Sequence, residues 1–215
     1  MGRCRLGADA VSSLSLSLLM IPLLILLEEL VHTDFGTADL SAVRERLRDR
    51  PPDEDVRDRA KALLDALAAV QRRRPDEVYV WAGTRLVMPL AKDFPGIVRG
   101  HTSARTLLLQ LAQVAPTVVA DVLPGVTCPE FWQDFLDGET IRIGFDGPVE
   151  AAWLLEGVAR GLGTHFGERV DTSRADAPPA LKERRLVDVK VVPERRSGSR
   201  AGRPTTGLSS AGIRS

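Results

Sequence analysis

Residues 154–168 read Leu154-Leu-Glu-Gly157-Val-Ala-Arg-Gly161-Leu-Gly163-Thr-His165-Phe-Gly-Glu168, a helix of small residues running into a His-Phe-Gly-Glu corner. Glycine costs a helix about 1 kcal/mol against alanine at each position. Three glycines in one helix therefore require a packing reason. Without side chains at 157, 161 and 163, the helix can press its backbone against a neighbouring element or a flat ligand. Everything else in the chain can be tested against that requirement.

The sequence preceding this helix has helical periodicity. Residues 20–35 read as a first helix, with Leu23, Leu24, Leu26, Leu27, Leu30 and Val31 as a wide apolar face. Asp39 or Ser41 can cap a short second helix from Ala42 to Arg48, which Pro51-Pro52 stops. A third helix is expected over 53–72, with Arg72 to Arg74 in its last turn facing the negative end of the helix dipole. Asp76 then caps a fourth, carrying Val78, Trp81, Leu86 and Val87. A long apolar helix is expected from His101–Ser103 to about Leu123, with Pro116 removing one hydrogen bond and kinking it. Its stripe of Leu107, Leu108, Leu111, Val114, Val118 and Val122 suits either core or pocket lining.

Beyond Pro124-Gly125 the pattern changes. Phe131, Phe135 and Thr140 to Ile143 have strand chemistry around an Asp137-Gly138 turn. The glycine-rich helix, 149–166, follows, and Val170–Thr172 and Leu186–Val192 read as further strands. Helices first and strands last define an α+β class: an N-terminal helical subdomain, then an antiparallel sheet with one late helix. The expected organisation is a leader or over-extended start at 1–19, a domain at 20–192, and a disordered basic tail at 193–215.

Composition narrows the function. With 44% hydrophobic and 27% charged residues the 215-residue chain matches a soluble globular domain with tails. Its 29 basic and 29 acidic residues cancel, which argues against nucleic acid as a partner. Cys4 and Cys128 form neither a disulfide framework nor a metal cluster, and a reducing cytoplasm is expected. Arg3 and Arg5 before the Ser/Leu-rich run Val11–Leu27 have the look of a signal peptide, but no small-residue cleavage site follows. The run is too short for a membrane span and is interrupted by Pro22; Met20 is an alternative start to Met1. No nucleophile–base–acid set, phosphate loop or paired-His spacing occurs, so an enzyme is not expected.

Several pieces, in order, resemble the heme–nitric oxide/oxygen binding (H-NOX) family. Leu24-Ile25-Leu26-Leu27-Glu28-Glu29-Leu30-Val31 and Phe35-Gly36 resemble its opening helix and the Phe-Gly that ends it. The segment Leu64 to Leu86, with DEVYVWAGTRL, is similar to its central helices. Phe94-Pro95 with Gly100-His101, then Leu123-Pro124-Gly125, Pro129-Glu130-Phe131 and His165-Phe166-Gly167-Glu168, continue the series. The resemblance covers about residues 20–192 and implies a stand-alone sensory or regulatory domain. It implies heme as cofactor, sensing of nitric oxide or oxygen, and a shift of the N-terminal helices that signals to a partner protein, with no nucleic acid or membrane involved.

Two features of the family's chemistry can be located in this chain. The resemblance implies a proximal His on the long helix. Counting back from Pro124-Gly125 places it at Pro116, whereas the apolar pattern of Leu111 and Val114 prefers Ala115, and neither residue ligates iron. The family's Tyr-x-Ser-x-Arg clamp for the heme propionates falls on Gly144, Asp146 and Pro148, none of them a comparable donor. No His lies between His101 and His165. His101 is about four turns from the expected ligand position, Cys128 follows the long helix as a candidate thiolate, His165 is expected to pack or hydrogen-bond at a helix end, and His32 to lie on the surface. Two functions stay open: a gas sensor holding heme by an unusual ligand, or a heme-free relative. The heme-free form would have a filled cavity or a small apolar ligand and act through protein contacts, and the residues favour it.

Overall fold

The structure, a computed structural model, describes residues 21–51, 54–122, 128–176 and 184–193. The leader, Cys4, Met20, Pro124-Gly125 and the tail beyond Pro193 lie outside them. Four helices open the fold: α1 (Ile21–Phe35), α2 (Thr37–Leu47), α3 (Val56–Gln71) and α4 (Pro75–Asp93). Leu23, Leu27 and Val31 recur every four residues along α1 and are buried, while Ile25 and Glu29 face outward. This is the amphipathic pattern of a helix packed on a core. No helix among the described residues is long and apolar enough to cross a membrane.

The expected helices are present, with corrected ends. Gly36 takes φ 90° and turns the chain directly from α1 into α2, a conformation that glycine adopts at little cost. The second helix therefore starts at Thr37, five residues before the expected Ala42. Asp39 sits inside its first turn, accepting from the Gln71 amide at 2.6 Å, and is not the cap. Asp55 caps α3 through the Arg57 amide at 2.8 Å. Arg72 is left-handed at φ 52° and closes that helix, so Arg72–Arg74 lie beyond it rather than in its last turn. Pro75 opens α4, as proline at a first helical position does, and Asp76 falls in the first turn instead of capping.

The largest correction concerns the long helix. A short α5 (Pro95–Val98) is followed by α6 (Ala104–Leu108) and α7 (Leu111–Val122), separated at Leu109-Gln110. Ser103 caps α6 through the Thr106 amide at 3.1 Å. At the far end the Leu108 carbonyl accepts the side-chain amide of Gln133 at 2.7 Å, a bond from the sheet. Periodicity alone cannot show a bond arriving from a distant strand. Pro116 lies inside α7 as expected.

Strands β1 (Phe131–Phe135), β2 (Thr140–Asp146), β3 (Glu168–Ala175) and β4 (Arg184–Pro193) form one antiparallel sheet, order β1-β2-β4-β3, with α8 (Val149–Phe166) between β2 and β3. Ile141 pairs with Val189 and Ile143 with Val187. These residues, with Phe145 and Val191, bury one sheet face against Ala152, Leu155, Ala159 and Leu162 of α8 and Leu107 and Leu108 of α6. Asp137 closes the β1–β2 turn by accepting the amides of Glu139 and Thr140 at 2.7 and 2.6 Å. These bonds hold its carboxyl below the usual carboxylate range. The class is α+β, as the order of periodicities implies.

A second core, among α1 to α4, contains Leu27, Val31, Leu67, Val78 and Ala82. The two cores meet along α4 and α8. A Cβ on Gly157 would overlap the Val80 carbonyl and stand 2.9 Å from Gly83 Cα. A Cβ on Gly83 would overlap the Leu154 carbonyl, and one on Gly161 would lie 2.6 Å from the Thr84 carbonyl. The Thr84 hydroxyl crosses the seam, 2.8 Å from the Val80 carbonyl and 3.1 Å from that of Gly157. Gly157 and Gly161 of the deciding stretch thus lie against a neighbouring helix, and Gly163 against the start of β3, where a Cβ would stand 2.8 Å from the Glu168 carbonyl.

Gly157→Ala adds helix propensity but forces two backbones apart. Overpacking should win, with a net loss of about 1–3 kcal/mol. Gly96→Ala in α5, where a methyl meets nothing within 4 Å, should be neutral or stabilising by up to about 1 kcal/mol. Urea unfolding of both variants checks the contrast; equal midpoints would show that the seam has slack.

Candidate functional site

Helix α7 turns two neighbours in different directions. Ala115 is 8% exposed and faces inward, on the side where Leu111 and Val114 pack against the sheet core. Pro116 is exposed and, with Ala112, forms one wall of a cleft of about 510 Å³. Cys128, Pro129, Glu130 and Phe131, on the approach to β1 and its first residue, form the other wall. The Cys128 thiol donates to the Pro129 carbonyl at 3.5 Å, and burial pushes its pKa up, so it is a neutral thiol at physiological pH.

The three positions on and beyond β2 do not converge. Gly144 is buried with the Trp132 indole lying across it: a Cβ there would overlap the ring and stand 2.7 Å from the indole nitrogen. The Arg184 guanidinium covers that indole at 5.7 Å from the ring centre. Asp146 is exposed and pairs with Arg184 at 3.6 Å. Pro148 is the residue before α8.

The histidines are dispersed. His101 precedes α6, so the helix break separates it from Ala115. His165 packs edge-on against Phe166, ring centres 4.9 Å apart, in line with its expected scaffold role. His32 is exposed, with Nε2 3.1 Å from the Thr37 hydroxyl. Glu168 accepts the Ala104 amide at 2.7 Å and anchors the start of α6. Among the described residues no group of three or more His, Cys, Asp or Glu side chains is placed to hold a metal ion. All three tryptophans sit in packed surroundings: Trp81 donates to Asp34 at 2.8 Å, and Trp153 meets Tyr79 edge-on at 5.7 Å.

Sequence reasoning missed an ionic cluster built on two buried carboxylates at the junction of α4, α8 and β3. Glu156 is 3% exposed, and its Oε1 meets Arg174 Nε at 2.5 Å. Arg174 also reaches Asp76 at 3.1 Å, which Arg74 meets at 2.7 Å. Arg160 and the Thr172 hydroxyl complete the surroundings of Glu156, at 3.7 and 3.4 Å. Burial raises the Asp76 carboxyl pKa, but the guanidiniums of Arg174 and Arg74 outweigh it and hold the group below its usual value. One signal was available. Glu156 shares the helix face of Ala152 and Ala159, where a carboxylate needs a cationic partner.

Comparison with protein-family models gives no match. No curated protein matches either. Solved structures do match in fold. An H-NOX protein from S. oneidensis in its Fe(II)NO state aligns with a TM-score of 0.66 and 15% identity, over 78% of this chain and 96% of its own. An unliganded Fe(II) mutant of the K. algicida H-NOX protein gives 0.64 at 12% identity, over 78% and 94%. An oxygen-binding H-NOX domain related to soluble guanylate cyclases gives 0.58 at 16%, over 76% and 90%. The chain has the H-NOX fold.

Because its folded-state carboxyl pKa is lowered, Asp76 contributes stability that is complete above about pH 4 and fades as acid protonates it. Asp76→Asn should cost about 1–3 kcal/mol at pH 7, and the gap from the parent should narrow towards pH 3. Urea midpoints measured across that range check it. A gap that does not change with pH would assign the loss to shape rather than charge.

Proposed function

We propose that this chain is a regulatory domain on the H-NOX fold, spanning about residues 20–192, that works without heme and acts in the cytoplasm by contact with a partner protein. One observation carries the reading: the inward face of α7 presents Ala115, a methyl group, where the resemblance calls for an imidazole. Heme iron is held by an axial donor from the protein, and Pro116 beside it faces outward and has none to give.

The remaining donor set points the same way. A thiol ligates as the thiolate, yet Cys128 is kept protonated and bonded to the Pro129 carbonyl. The Trp132 ring occupies the space a side chain at 144 would need. The Asp146 carboxylate would repel a propionate, and Pro148 has no N–H. These residues do not fit a heme.

Likeness to H-NOX structures in ferrous, nitric-oxide and oxygen states supports a sensory or regulatory role inherited with the fold. A partner protein is favoured over nucleic acid by the balanced charge, and a membrane partner is not favoured by any described helix. Protein purified from heme-supplemented cells should show no stoichiometric Soret band after gel filtration. A stoichiometric band would restore the gas-sensor reading, and loss of that band in His101→Ala or Cys128→Ala would then identify the ligand.

A further inference from the structure

Among the described residues the sheet has two open edges, and they differ. At one, β1 is five residues long, tied to α6 by the Gln133 side chain, with the Arg105 guanidinium 5.8 Å from the centre of the Phe135 ring. At the other, β3 is eight residues long and pairs only with β4. Its register runs unbroken from Glu168 opposite Pro193 to Ala175 opposite Leu186, so no bulge bends it. The strand, Glu-Arg-Val-Asp-Thr-Ser-Arg-Ala, contains neither proline nor lysine. Bulges, prolines and lysines are devices that keep a strand edge from adding another strand. Along β3 the backbone groups that alternate away from β4 meet no further strand among the described residues.

The side chains of β3 alternate between two faces. Val170 turns inward, where a Cβ on Gly163 of α8 would lie 2.5 Å from its Cγ2. Arg169 and Asp171 project from the other face, 3.1 Å apart, with side chains 69% and 51% exposed. A strand that pairs with its own copy about a two-fold axis centres on one residue, and each side chain keeps its face. Centred on Asp171, the pairing would set two carboxylates opposite each other; centred on Arg169, two guanidiniums. Centred on Thr172 or Ser173, it brings no charge opposite a charge within the strand. Centred on Val170, it sets Arg169 opposite Asp171 of the second copy and Asp171 opposite Arg169 of the second copy. The pair within each strand is kept, so four charges alternate around the axis. Opposite charges directly across a ladder favour pairing, and like charges oppose it.

We propose that the free edge of β3 binds a second copy of this chain, by antiparallel pairing centred on Val170 that joins the two four-stranded sheets into one. The interface goes beyond the partner-protein reading and is independent of heme. Only Glu168 to Thr172 pair on each side, so the contact belongs with small interfaces, and the dimer is weak and reversible.

Sedimentation equilibrium of the full chain at increasing concentration tests the interface. A reversible monomer–dimer equilibrium is expected. Arg169→Asp and Asp171→Arg each set like charges opposite one another twice, and each should weaken the dimer about tenfold or more. Mixed in equal amounts, the two variants meet with opposite charges again, so the mixture should regain the parental affinity. The double variant Arg169→Asp/Asp171→Arg should regain it alone. Both positions are exposed, so the variants keep the parental fold, and unchanged far-UV circular dichroism checks this. A monomer at every concentration, the result expected if the edge serves a different protein, overturns the proposal. So does a dimer that Arg169→Asp leaves unchanged, or a pair of single variants that fails to associate on mixing.

Discussion

The backbone contact of α4 with α8 is the constraint on which the rest depends. At Gly83 and Gly157 two helices approach so closely that carbonyl oxygens occupy the space a side chain would take. The seam joins the helical core to the sheet core, and the Thr84 hydroxyl, shared between carbonyls of both helices, sets its register. Arg174 works beside it, drawing the start of α4 towards β3 through Asp76 while meeting Glu156 of α8. Close packing supplies the approach and paired charge supplies the angle. Asp76 and Glu156 are buried while Arg174 is 42% exposed, so the charge contact bridges the core and the solvent.

How far this was legible in the sequence depends on the range of the forces involved. Elements shaped by their own residues could be read: the apolar face of α1, the alternating Ile141 and Ile143, and α8 with its glycines. Helix ends were misread where a local preference met a stronger one. Gly36 and Pro75 each start a helix without a side-chain cap, which displaced Asp39 and Asp76 from the roles their chemistry suggests. The break between α6 and α7 was invisible because its partner, Gln133, comes from a strand 25 residues away.

The site divides along the same line. That Ala115 and Pro116 cannot ligate a metal follows from residue type alone, and burial then separates them: one lies inside, the other on the cleft wall. That Trp132 covers Gly144 could not be read from either residue. It requires the register pairing 132 with 144 across β1 and β2. Glycine in a strand signals a close approach, though not by what. The ionic cluster had the weakest signature, since Asp76 reads as a helix cap and Arg174 lies 98 residues away.

The bond from the Ala104 amide to Glu168 has a bearing on how the chain reaches this arrangement. It closes a loop of 64 residues, and the helix it anchors is only five residues long. So short a helix does not hold together by itself in water. The turn at Ala104 therefore depends on the start of β3 for its persistence. Loop closure over such spans precedes the contacts that reward it. The helix that lines the sheet core is thus secured from the far end of the chain rather than by its own length.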